Sequence, residues 1–205
     1  MPLYLQNYLR EVRRIDLAVA SPYLRYIRYE VGGREYSAIG FPNRAGGYEL
    51  RGDKTFKGTI APKDISVIVG RASNAPLCIF EGFVDFLSYL TMKGKEAISP
   101  SIVLNSVSNI HRAVAYLHEN GIDSVRAFFD NDQAGRQALK SLQSAGIKVE
   151  DMRTLCPIQR PQRVPRCPEN RAKTGDTTSQ TRTWTIRQKR ANNIIPSSGI
   201  QRFRK

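Results

Sequence analysis

Apolar and polar positions change rhythm twice along these 205 residues. Between Leu3 and Arg14, the residues Leu5, Tyr8, Leu9 and Val12 recur at helical intervals and predict an amphipathic helix. Tyr26–Val31 and Glu35–Phe41 are short β-prone runs on either side of Gly32-Gly33, which predicts a hairpin. Gly46–Arg51 adds a candidate strand, and Ile65–Val69, just after Pro62 and Lys63, adds another. Residues 1–72 thus read as a small α+β lead-in.

From residue 76 the rhythm becomes strand–helix alternation. Leu77–Glu81 is a short apolar strand, and Gly82–Lys93 carries a helical stripe of Phe83, Phe86, Leu87 and Leu90. Ser101–Asn105 is a second strand, followed by a helix from Asn109 to Glu119 that Asn120-Gly121 stops. Ser124–Asp130, a helix over Ala134–Ser144 stopped by Gly146, and a strand over Ile147–Met152 complete the series. Repeated βα units of this length predict an α/β domain over 73–153. Its sheet is parallel and doubly wound, with flanking helices and right-handed crossovers.

Such sheets bind ligands beyond the carboxyl ends of their strands. Glu81 closes the first strand and Asp130 the third, with Asp132 two residues later and Asp85 one helical turn beyond Glu81. Carboxylates that converge repel one another unless a cation or proton compensates. Mg²⁺ suits the arrangement, since it prefers oxygen ligands and keeps several waters. For any single acid a helix-capping role is the competing explanation, and Asp132 could simply N-cap the helix that begins near Gln133. Four acids at the ends of two strands favour the metal.

Composition narrows the picture only slightly. The chain is 40% hydrophobic and 24% charged, ordinary for a globular protein. Its net charge of +14 sits mostly in the last quarter, because residues 153–205 hold 13 Lys+Arg against 2 Asp+Glu. The body is mildly basic, so the overall charge says little about a nucleic-acid partner. No apolar run nears the roughly 20 residues of a membrane span, and Met1-Pro2-Leu3-Tyr4-Leu5-Gln6 lacks a signal-peptide pattern, so no membrane and a cytoplasmic location are expected. Cys78, Cys156 and Cys167, with His111 and His118 on another segment, have no zinc-site spacing, and Cys78 reads as a core residue.

Two motifs carry a resemblance. Glu81-Gly82-Phe83-Val84-Asp85 resembles the E-G-x-x-D motif of the toprim fold, shared by bacterial primases and topoisomerases. Asp130-Asn131-Asp132-Gln133-Ala134-Gly135-Arg136 resembles its D-x-D-x-A-G-R motif, with a primase-like ending, and Leu104-Asn105-Ser106-Val107-Ser108 stands where the turn after the second toprim strand belongs. The lead-in, including Gly47-Tyr48-Glu49-Leu50-Arg51 and Phe56-Lys57-Gly58, is similar to the segment before toprim in primase-like proteins of bacterial mobile elements. Many of those relatives start with a Cys/His zinc ribbon, which this sequence lacks.

The resemblance implies a DNA primase-like nucleotidyltransferase dependent on Mg²⁺, in replication or in mobilisation of a mobile element. Glu81 would assist proton transfer, Asp130 and Asp132 would hold Mg²⁺, and Asp85 would support them. Arg51, Lys57, Lys63 and Arg136 would contact phosphates of a single-stranded DNA template or of nucleotides, and ordinary solvated cations are their plainer reading. A replicative helicase or a separate zinc-ribbon module are the implied partners. The alternative is a non-catalytic or degenerate nucleic-acid-binding module. A phosphatase of the haloacid-dehalogenase type fits poorly, because its D-x-D belongs on the first strand.

Residues 154–205 lose all periodicity and are rich in Arg, Gln, Thr, Pro and Asn, as a disordered basic arm would be. The genetic code offers a second account. Cys156–Pro165 can be encoded so that reading one base later gives Ala-Arg-Tyr-Lys-Asp-Leu-Asn-Glu-Tyr-Leu, and a Lys-Asp-Leu-Asn-Glu segment at this place resembles the primase-like relatives. A reading-frame shift near Leu155 is therefore expected to account for the tail. Sequencing the gene tests it.

Overall fold

Two sheets organise the chain, and the computed structural model describes residues 1–31, 33–52, 56–72, 74–94 and 97–152. The basic tail and the expected frame shift lie outside the described residues. Helix α1 (Leu3–Asn7) widens into a π-helical turn over Tyr8–Val12. Leu5, Tyr8 and Leu9 are buried, whereas Val12 of the same stripe is exposed. The wider turn rotates Val12 away from the stripe, because π-helical geometry advances each residue by a smaller angle than α-helix does. A four-residue helix α2 (Leu17–Ala20), too short for periodicity to reveal, starts where the Asp16 carboxylate accepts the Ala18 N–H at 2.8 Å.

The first sheet is antiparallel and runs in the order β1 (Arg25–Val31), β2 (Arg34–Pro42), β3 (Tyr48–Arg51), β4 (Lys57–Ile60). The expected hairpin forms, with Tyr29 opposite Tyr36. Strand β4 was invisible to patterning because Lys57-Gly58-Thr59-Ile60 has one large apolar residue and a glycine.

The second sheet runs β5 (Ser66–Ile68), β7 (Ser101–Val103), β6 (Leu77–Phe80), β8 (Ser124–Phe128), β9 (Lys148–Asp151). Strands β6 to β9 are parallel, as the alternating pattern predicts, whereas β5 pairs antiparallel with β7 at the edge. The strand read at Ile65–Val69 thus joins this sheet, because Ser66 and Val67 pair with Val103 and Ile102. Helix α3 (Phe83–Lys93) packs on one face, where Phe83, Phe86 and Leu90 meet Cys78 and Phe80. Helices α4 (Ile110–Glu119) and α5 (Gln133–Ser144) cover the other, where Leu117, Ala138 and Leu142 meet Leu77 and Ile79. Both histidines lie on α4, near its start and end.

The lead-in shares the core on the α3 side. Ile39 and Phe41 of β2 are buried there with Leu5 and Leu9 of the first helix, and the Phe41 ring stacks on Phe83 at 5.0 Å. Burying a ring of this size contributes about 2–3 kcal/mol, so the two sheets are held by several such contacts. A buried carboxylate adds a polar clamp. Asp64 faces Arg44 of the β2–β3 loop at 3.4 Å with one oxygen and Arg112 of α4 at 3.6 Å with the other.

Candidate metal centre

The order of the second sheet fixes where a site can form. From β6 the chain crosses to β7 on one side, then returns past β6 to β8 on the other. The winding reverses between β6 and β8, which opens a crevice beyond their carboxyl ends. Phe80 and Phe128 are directly opposite in register, and their rings stack at 4.7 Å and 13°. Those rings form a floor. The residues after them, Glu81 and Phe129-Asp130, emerge at the rim.

Glu81 bridges the crevice. Its carboxylate accepts the backbone N–H of Asp130 at 3.2 Å, across 49 residues of sequence. The structure therefore brings the acid after β6 and the acid after β8 into contact. Asp85 sits in the first turn of α3, where its Oδ2 accepts the Gly82 N–H at 3.2 Å. Asp132 is the N-cap of α5 and accepts the Gly135 N–H at 2.9 Å with Oδ1. Glu81, Asp85 and Asp130 are half-buried and Asp132 is exposed.

The N-cap foreseen for Asp132 is thus realised, and Asp85 stands in the first turn of α3 with its carboxylate on the Gly82 N–H. Neither role removes a carboxylate from the rim, since a cap occupies one oxygen of two. Among the described residues, no three Asp, Glu, His or Cys side chains stand gathered as a ready chelating group. The donors nonetheless fit Mg²⁺ in type: all are oxygens, and this ion takes one or two carboxylates plus waters and phosphates instead of a full protein cage.

Gly135 explains the glycine of the second motif. It is buried, and a Cβ built on it would collide with the backbone carbonyl of Asp130. Only a glycine lets the first turn of α5 close onto the loop that carries Asp130 and Asp132. Arg136, next to it, is exposed and donates from Nη1 to the Asn131 carbonyl at 3.3 Å, which puts it on the same loop.

The lead-in contributes from the opposite side. Register puts Glu49, Arg51, Lys57 and Thr59 on the sheet face that buries Ile39 and Phe41. The Arg51 guanidinium lies 5.2 Å over the Phe83 ring and donates to the Leu50 carbonyl at 2.8 Å. Burial lowers its pKa, and Tyr8, Glu49 and Asp85 nearby act to keep it charged. Arg51 is thus a half-buried cation packed over Phe83, not a solvated one. Lys57 pairs with Arg51 across β3–β4 and is exposed, as is Lys63 near Glu49.

Two residues join the surroundings that sequence reasoning did not single out as functional. Glu49 is buried, is hydrogen-bonded by Thr59 at 3.0 Å, and has its pKa raised by burial against the pull of Arg51 and Lys63. Its position two residues before Arg51 on a strand is the signal that could have found it. Asn105, after β7, has a left-handed φ of 64° and donates from Nδ2 to the Asp64 carbonyl and Ser66 Oγ, both at 2.9 Å. Its Oδ1 is buried without a hydrogen-bond partner. No sequence pattern marks it beyond the turn in which it sits.

Comparison with known proteins agrees with the fold. Residues 78–159 match the Toprim-like family, and residues 2–61 match a domain of unknown function (DUF8464). Within that match, the described residues have the parallel sheet and flanking helices of a toprim-like fold, as the motifs imply. Among curated proteins no match was found. The chain is also similar to a solved structure from bacteriophage T7, in which the lagging-strand DNA polymerase interacts with primase domains of two gp4 subunits bound to an RNA/DNA hybrid and dTTP. Its similarity is a TM-score of 0.48 at 18% identity, covering 69% of this chain and 76% of that one.

Proposed function

We propose that the protein is a primase-like nucleotidyltransferase that acts on DNA with Mg²⁺, in replication or in mobilisation of a mobile element. The observation that carries this reading is the contact of Glu81 with the Asp130 amide, at the point where the toprim-like sheet reverses its winding. Asp130 and Asp132 would hold the ion, with Asp85 as support. When bound, Mg²⁺ supplies charge neutralisation at a phosphoryl group undergoing in-line displacement.

The chain's own groups complete the proposal. Glu81 accepts or returns the proton of the reacting hydroxyl. Arg51, held over Phe83, gives a fixed positive charge on the lead-in side, and Arg136 gives one on the loop of Asp130. Lys57 and Lys63 extend the cationic side toward phosphates of a single-stranded template or nucleotide. A zinc-ribbon module or a replicative helicase would act as a separate partner.

Primer synthesis on single-stranded DNA tests the reading. Glu81→Gln keeps an acceptor for the Asp130 amide and removes the proton-transfer group, so synthesis should fall by about 100-fold or more while template binding persists. Equal synthesis by the variant would remove Glu81 from the reaction. A second reading, a binding module without catalysis, draws on the capping roles of Asp85 and Asp132 and the lack of a ready chelating group among the described residues. Binding by the unmodified chain with no synthesis at any Mg²⁺ concentration would establish that reading instead.

A further inference from the structure

The face of the first sheet turned away from Phe41 carries a row of aromatic rings unrelated to the acidic rim. Tyr29 and Tyr36 are directly opposite in register, and their rings are 5.6 Å apart and 20° from parallel. Phe56, just before β4, lies 6.1 Å from Tyr29 at 19°. The central ring is buried at 7% exposure, whereas Tyr36 and Phe56 are open at 43% and 38%. Burial pushes the Tyr29 phenol up in pKa, with Tyr36 and then Tyr4 adding to the effect.

Glycines set the position of the outer ring. A Cβ on Gly52 or on Gly58 would touch the Phe56 ring at 3.1 Å, so the ring rests against bare backbone. Charge is segregated by the strand alternation as well. The three carboxylates of the four strands, Glu30, Glu35 and Glu49, all belong by register to the opposite face. Arg25 and Arg34 belong to the face with the rings.

Flat open rings, strand cations and no strand acid are complementary to bases linked by phosphates. Every base has a π-face, and stacking on an aromatic side chain contributes about 1–3 kcal/mol per base without sequence preference. We infer that this face is a stacking platform for single-stranded nucleic acid, with Tyr36 and Phe56 as the rings that receive bases. The platform stands on the rings and the register alone and goes beyond the reaction proposed at the rim. A chain that stacked here would be held by the lead-in sheet at a surface separate from Glu81 and Asp130.

Photo-cross-linking locates the contact even if other parts of the chain also bind. The full chain is irradiated with a single-stranded oligonucleotide carrying 5-iodouracil, and cross-linked peptides are mapped by mass spectrometry. The expected result is cross-linking at Tyr36 or Phe56, unchanged in Glu81→Gln, so that loss of activity at the rim and loss of the platform are separable. The double variant Tyr36→Leu with Phe56→Leu keeps an apolar cover over the sheet but has no flat rings. It should lose these cross-links and bind oligo(dT) about tenfold or more weakly, while Tyr36→Phe binds as the parent does. Absence of cross-links at both rings in the parent protein overturns the platform, including the case in which a protein partner shields those rings instead.

Discussion

Asp132 has two duties that different substitutions can separate. Its Oδ1 caps α5 through the Gly135 N–H, and the proposed function makes its carboxylate a ligand of Mg²⁺. Asn caps a helix about as well as Asp, whereas Ala does not and costs about 1 kcal/mol. Asp132→Asn should therefore leave the urea midpoint nearly unchanged and weaken Mg²⁺ binding, and Asp132→Ala should lose both. If Asn supports metal binding as fully as Asp, the residue is a cap and nothing more. Legibility at this scale was uneven. Glu81 and Asp130 could be read because strand ends are marked by where apolar runs stop. Arg51 could be named, but its burial over Phe83 depends on how one sheet packs on another, which no local pattern encodes. Asn105 gave still less sign, since a left-handed φ at a non-glycine residue is a property of the folded turn.

Elements with strong periodicity were the ones visible beforehand. Helix α3 shows its stripe plainly because Phe83, Phe86, Leu87 and Leu90 all meet one core. Strand β6 is an apolar run because both of its faces are covered by helices or by the lead-in. Strand β4 and helix α2 were missed for want of length and apolar content, and β5, read as a strand of the lead-in, pairs with β7 of the second sheet, which a three-residue strand does not reveal. The docking of α5 is the element-scale test. Gly135→Ala gains up to about 1 kcal/mol of helix propensity, but the added methyl overlaps the Asp130 carbonyl, and overpacking of this kind costs about 1–3 kcal/mol. Net destabilisation in urea and weaker Mg²⁺ binding are expected together. A variant more stable than the parent would show that α5 does not press on the Asp130 loop.

At the scale of the whole molecule, the lead-in and the toprim-like domain depend on each other. They share a core through Phe41 and Phe83, and Asp64 ties the β2–β3 loop to α4 through two arginines. Asp64 is only 4% exposed, so removing both cations leaves a buried carboxylate unpaired. Arg44→Ala with Arg112→Ala should cost about 3 kcal/mol or more, read from urea unfolding. Adding Asp64→Asn to that pair should restore part of the loss, and no recovery would mean that the arginines act through packing alone. Sequence showed the two units and the motifs of the second. It could not show that the first puts Arg51 over Phe83, because that follows from how the two sheets pack together.

The account turns on a divalent cation held where β6 and β8 end. Calorimetric titration of the full chain with Mg²⁺, before and after Asp130→Asn, measures this most directly. Mg²⁺ should bind the parent protein, and bind the variant about tenfold or more weakly, with the unfolding midpoint unchanged. Equal Mg²⁺ affinity in the two proteins would contradict it.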